Sequence, residues 1–143
     1  MVAVIATLIT ATVEIAQQSG NAVPAPIKLE DYVSSTAGGD AAYNKGDYAT
    51  ALRLYQQLAD QGNVSAQYVI GTMYADGGRG VPQDYVLAHK WLNLVATLPH
   101  LSSETDKKFV NSASYKRAAV TEKMTPAQIA NAQKLAREWK PTP

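Results

Sequence analysis

Two segments of the chain carry nearly the same pattern 37 residues apart. "GDYATALRLYQQLA", Gly46 to Ala59, and "QDYVLAHKWLNLVA", Gln83 to Ala96, align so that Asp47 falls on Asp84, Tyr48 on Tyr85, Ala51 on Ala88, Leu54 on Trp91, Leu58 on Val95 and Ala59 on Ala96. A fixed period of this length marks a helical repeat, whose units cannot bury their apolar faces alone and must stack. Within one unit, Tyr48, Ala51, Tyr55, Leu58 and Ala59 recur at three- and four-residue steps and form one apolar helical stripe. Asp47 and Asp84 stand where an N-cap would satisfy the first free N–H groups of each helix. Between the copies, "VSAQYVIGTMYADG", Val64 to Gly77, places Ala66, Ile70, Met73, Tyr74 and Gly77 on one face of a second helix ended by glycine. Gly71 lies inside that helix at a propensity cost of about 1 kcal/mol, which predicts a close helix approach there.

The turn "GGRGVPQ" invites a different reading, because glycines before a helix can cradle phosphate. The motif requirements fail. A Walker loop needs Lys followed by Ser or Thr after its last glycine, and the dinucleotide fingerprint needs a third glycine where Gln83 stands. The glycines are expected to supply positive φ at a helix end, with Pro82 directing the chain into the next helix and Arg79 solvated. No cofactor site follows.

Taken together, "AQYVIGTMYADGGRGVPQDYVLAHKWLNLVA", Ala66 to Ala96, resembles a Sel1-like repeat: a small residue, Ile-Gly-x-x-Tyr, a glycine-rich turn with Gly-Val, then Asp-Tyr and Ala-x-x-Trp. Ala41 to Asn63 resembles a degenerate, more tetratricopeptide-like unit with a short, glycine-flanked first helix. The resemblance implies an all-α fold, a short α-solenoid of antiparallel helix pairs in a right-handed superhelix, acting as a scaffold for a protein or peptide partner. The expected organisation is a possible signal peptide over residues 1–22, a linker over 23–37, repeats over 38–63 and 64–98, and a helical hairpin over 99–143.

The hairpin is read from Phe109, Ala113, Val120 and Met124 on one helix from Glu104 to Lys123, its apolar side interrupted by Lys116 and Arg117. The other helix has Thr125 as N-cap, Pro126 at its first position, Gln128 completing a capping box, and a stripe of Ile129, Ala132, Leu135, Ala136 and Trp139. It resembles the tail of exported bacterial Sel1-like proteins, which implies a cap on the open face of the last repeat. In the second copy Leu87 and Leu94 replace the polar Thr50 and Gln57 of the first, so that helix is expected to be buried on two sides, with the hairpin as its cover.

Composition sets the remaining bounds. With 46% hydrophobic and 17% charged residues over 143 positions, the chain suits one modest core. A net charge of +1 offers no general attraction for nucleic acid, although eight of the 13 basic residues lie from residue 104 onward, enough to raise salt-sensitive docking of the hairpin on anionic surfaces as a possibility. No cysteine is present, which excludes disulfides and thiolate chemistry; the β-lactam binding linked to cysteine-rich Sel1-like proteins therefore does not carry over. Val2 to Val13 is an uncharged run of signal h-region length with small residues Gly20 and Ala22 beyond it, and predicts export to the periplasm or beyond, with a cytoplasmic location as the alternative. No stable membrane span is expected after its removal.

Catalysis has no support. His89 aligns with Leu52 beside an apolar stripe, His100 follows Pro99, and neither has ligand spacing to the other. Nucleophile signatures are missing. The expected function is non-enzymatic, with no catalytic, cofactor or metal residues; the alternative is an envelope accessory or enzyme binding peptidoglycan fragments or β-lactams. Tyr68 and Thr72, off the main stripe of their helix, are the candidate partner-binding residues, and an edge left by only two units allows a homodimer.

Overall fold

In a computed structural model, residues 29–98 and 104–143 are described, and the possible signal peptide over 1–22 and His100 lie outside them. The chain divides into compact units 1–32 and 33–143, and the architecture belongs to the second. The helices are α1 (Leu29–Asn44), which begins within the first unit, and, within the second, α2 (Tyr48–Asp60), α3 (Val64–Asp76), α4 (Tyr85–Ala96), α5 (Glu104–Thr121) and α6 (Pro126–Glu138). Among the described residues there is no strand, only an isolated bridge between Gly78 and Val81. No helix of the described residues is long and apolar enough to cross a membrane.

The starts of α2, α3, α4 and α6 are explained locally. Asp47 accepts from the Thr50 N–H at 3.1 Å, Asn63 from the Ala66 N–H at 2.9 Å and Asp84 from the Leu87 N–H at 2.9 Å. Hydrogen bonds from Thr50 hold the Asp47 carboxyl below its ordinary pKa. At α6 the capping box is complete, Thr125 N–H donating to Gln128 Oε1 at 2.8 Å and Gln128 N–H to Thr125 Oγ1 at 3.3 Å. Helix ends are closed as carefully. Buried Gln67 donates to the Ala59 carbonyl of α2, and Gln83 donates to the Ala75 carbonyl of α3 at 3.1 Å.

Two buried clusters follow. The first joins Ala51, Tyr55 and Ala59 of α2 with Ala66, Ile70 and Met73 of α3, Val81 and Trp91. The second joins Ala88, Leu92 and Val95 of α4 with Ala113, Val120, Met124 and Ala132 of the hairpin. Helix α4 is packed by α3 on one side and by α5 and α6 on others. Gly71 allows this: a Cβ there would stand 2.9 Å from Leu92 Cγ and 3.3 Å from its backbone nitrogen, so the predicted close approach is present.

One expectation is corrected. Helix α1 begins at Leu29, inside the stretch read as linker over 23–37, and runs for 16 residues through Gly38 and Gly39, so the first unit's leading helix is not short. The reason is packing. A Cβ on Gly39 would lie 2.8 Å from Tyr55 Cε1, so the bare glycine admits the Tyr55 ring, while the Tyr55 hydroxyl donates to Asp40 Oδ1 at 2.5 Å. Burial, then Asp40, raises the Tyr55 pKa. Leu87 and Leu94 lie on the side of α4 that faces the first cluster. Both are half-buried and pack against the first cluster, to which the hairpin side contributes Trp139; the residues that the hairpin helices bury are Ala88, Leu92 and Val95.

Candidate functional site

The glycine turn between α3 and α4 builds one wall of an open groove. Gly77, Gly78 and Gly80 have φ of 63°, 78° and 82°, and Arg79 joins them at 55°, a left-handed run that projects the arginine back toward the first unit. At Gly77 even a methyl group is excluded, since a Cβ would stand 2.6 Å from Gln83 Cβ. Arg79 is not simply solvated. Its guanidinium lies 4.8 Å from the centroid of the Tyr48 ring, and Nη1 donates to the Tyr48 hydroxyl at 2.5 Å. Tyr48 in turn meets Tyr43 edge-on, with centroids 4.9 Å apart and planes at 89°.

These residues surround a cavity of about 370 Å³, with Met73 and Val81 contributing its apolar floor and Asp76 and Thr72 polar groups. Tyr43 is 41% exposed, unusual for a large apolar side chain here. The Thr72 hydroxyl is buried and has no hydrogen-bond partner. A cation, a carboxylate and two aromatic edges at one turn can hold a polypeptide segment by stacking and hydrogen bonds. The groove contains no paired nucleophile and base.

The two sequence candidates separate. Thr72 lines the groove, whereas Tyr68 packs edge-on against Phe109 of α5, centroids 5.5 Å apart, and joins the second cluster. Tyr43 and Arg79 were not singled out as contact residues. The Gly-Gly-Arg-Gly run was the available signal for Arg79, but its partner Tyr48 lies 31 residues away.

His89 is 3% exposed, and its Nδ1 is buried without a partner. Burial first, and then the nearby Arg117 cation, lowers its pKa below 6.5. Arg117, expected only to interrupt the hairpin's apolar side, donates to Asn93 Oδ1 at 2.6 Å and so ties α5 to α4. Among the described residues no group of three His, Asp or Glu side chains could hold a metal ion.

Comparison with known families bears on these features directly. The Sel1 repeat model matches residues 39–63 and 64–100, the two units described above. Residues 39–100 are thus a pair of Sel1-like repeats, and their all-α fold is the one that family implies. It matches no curated protein and no solved structure. Sel1 repeats generally mediate contacts between proteins.

Proposed function

We propose that this chain is a non-catalytic scaffold that holds a protein partner, and that the partner contacts the groove at the Gly77 to Gly80 turn through Tyr43, Arg79 and Thr72. The observation that carries this is the exposed Tyr43 beside the Arg79–Tyr48 stack, where the first repeat meets the Gly77 to Gly80 turn. Aromatic and arginine side chains together are the typical anchors of protein interfaces. Tyr68 serves this reading indirectly, by fixing α5 against α3.

A photo-crosslinking amino acid placed at Tyr43, and as a control at exposed Gln133 on α6, tests it in the organism of origin. Discrete protein adducts from position 43 that disappear with Arg79→Ala are expected. Equal adducts from both positions, or none from 43 in a folded protein, would overturn the assignment. The hairpin's packing on α4 fits a cap that keeps further units from stacking. Export belongs to the same proposal, motivated by the uncharged run Val2 to Val13. Intact-mass measurement of the protein from its native compartment should show loss of residues 1–22, and an unprocessed N-terminus would argue for the cytoplasm.

A further inference from the structure

Beyond α6 the chain does not simply end in solvent. Helix α6 stops at Glu138, and Trp139 turns into extended backbone at φ −66°, ψ 136°. Pro141 keeps the preceding Lys140 out of helical conformation. The segment then returns to the first unit. Trp139 meets the buried Trp91 edge-on with centroids 6.2 Å apart, and it packs on the first cluster, as Leu58, Leu87 and Leu94 also do. At Gly62, in the α2–α3 turn, a Cβ would lie 3.7 Å from Pro141 Cβ and 3.8 Å from Trp139 Cη2, so this residue forms a bare floor under both side chains. The Thr142 N–H donates to the Asp60 carbonyl at 2.8 Å, supported by its hydroxyl at 3.3 Å. That carbonyl belongs to the last residue of α2, one of the acceptors a helix leaves unpaired.

These are the parts of a peptide-recognition site. An apolar slot takes an aromatic side chain, a flat glycine surface takes a proline, and a main-chain acceptor fixes an extended strand; proline-rich ligands dock on aromatic grooves by the same physics. The Lys90 ammonium, 3.9 Å from the centroid of the Trp91 ring, adds a cation beside the slot. We propose that the notch between the α2–α3 turn and α4 is a docking site for an extended aromatic-x-proline segment, and that the tail Trp139 to Thr142 is its resident occupant. The tail seated there supplies the occupant's chemistry. Its hold is slight: Lys140, Pro141 and Thr142 remain exposed, and the tail beyond Trp139 is fixed by the Thr142 bonds and the proline contact. What keeps it in place is its tether, which raises its local concentration to about the millimolar range. A partner segment of the same chemistry displaces it when it binds more tightly than the tether compensates. This site is separate from the groove at the Gly77 to Gly80 turn and does not depend on that reading.

The test uses the full chain and a fluorescein-labelled peptide with the sequence of Arg137 to Pro143, followed by anisotropy. Trp139→Ala empties the slot, and that variant should bind the peptide saturably and at least about tenfold more tightly than the unmodified chain, whose own tail competes. A peptide carrying Trp139→Ala should bind neither. Because Trp139→Ala also removes packing, Thr142→Pro provides a second variant that leaves Trp139 in place, deletes both the N–H and the hydroxyl donor to Asp60, and should show intermediate binding. If the variants that retain wild-type helix content by circular dichroism bind the peptide no better than the unmodified chain, the site does not exist as proposed.

Discussion

Helices α2 and α4 occupy the same place in their repeats, yet they are buried differently. In α2 the buried residues are Ala51, Tyr55 and Ala59, one stripe, and Arg53 and Gln57 face solvent. In α4 they are Ala88, His89, Trp91, Leu92 and Val95, because α3, α5 and α6 all pack on it. Leu54 is half-buried where its counterpart Trp91 is 1% exposed. The lesson is that position in the stack sets the environment, and the sequence of each copy is adapted to it. The edge copy keeps the polar Thr50 and Gln57 where the interior copy has Leu87 and Leu94, and at the position of Leu52 the interior copy carries a buried histidine, His89, whose pKa burial lowers.

The sharpest way to break this comparison is to truncate the paired positions. Trp91→Ala should cost about 3–5 kcal/mol in urea unfolding, while Leu54→Ala should cost about 1 kcal/mol because half of that side chain already faces water. Similar losses would mean that both copies share one environment. Gly71→Ala should come next. Its Cβ meets Leu92 Cγ and backbone, so about 1–3 kcal/mol of overpacking outweighs the gain in helix propensity.

Two further effects are smaller. Asp84→Ala removes the cap of α4 and should lower stability by about 1 kcal/mol, with a lesser fall in melting temperature for Asp47→Ala in the more exposed first copy. Gly38→Ala should have the opposite sign to Gly71→Ala, since its Cβ would meet only Leu54 Cδ1 at an ordinary 3.5 Å; a gain of up to about 1 kcal/mol is expected, and a loss would show that α1 is crowded there too.

The last effect depends on pH. The unfolded chain protonates His89 near 6.5, and the folded chain only at lower pH, so the unfolded state binds more protons between the two values. Stability contributed by neutral His89 is complete above pH 6.5 and is lost as pH falls through the folded value. His89→Leu, which restores the residue type of Leu52, should flatten that slope in melts between pH 7.5 and 5; an unchanged slope would place the titration elsewhere.

Much of the fold could be read locally. The Asp47 and Asp84 caps, the Thr125 to Gln128 box, the stripes of α2 and α6 and the closeness at Gly71 all rest on spacing within about one helical turn or on one aligned repeat. The rest depends on contacts remote in the chain. Glycine propensity at Gly38 and Gly39 disfavours a helix, yet α1 runs through both, and the Tyr55 ring occupies the space at Gly39. Tyr68 lies off the stripe of its own helix, and only the return of α5 sets Phe109 against its ring. Arg79 read as solvated because its partner Tyr48 is remote in the chain.

By itself, the sequence determined the helical repeat, its period, its caps and the turn between α3 and α4, because those depend on backbone hydrogen bonding and side-chain spacing among near neighbours. Only the tertiary structure decided which faces stay open. The return of Thr142 to Asp60, the Trp91–Trp139 contact and the Arg79–Tyr48 stack join residues 31 to 82 positions apart. No local preference specifies such pairings, which exist only once stacked helices have fixed the distance between them.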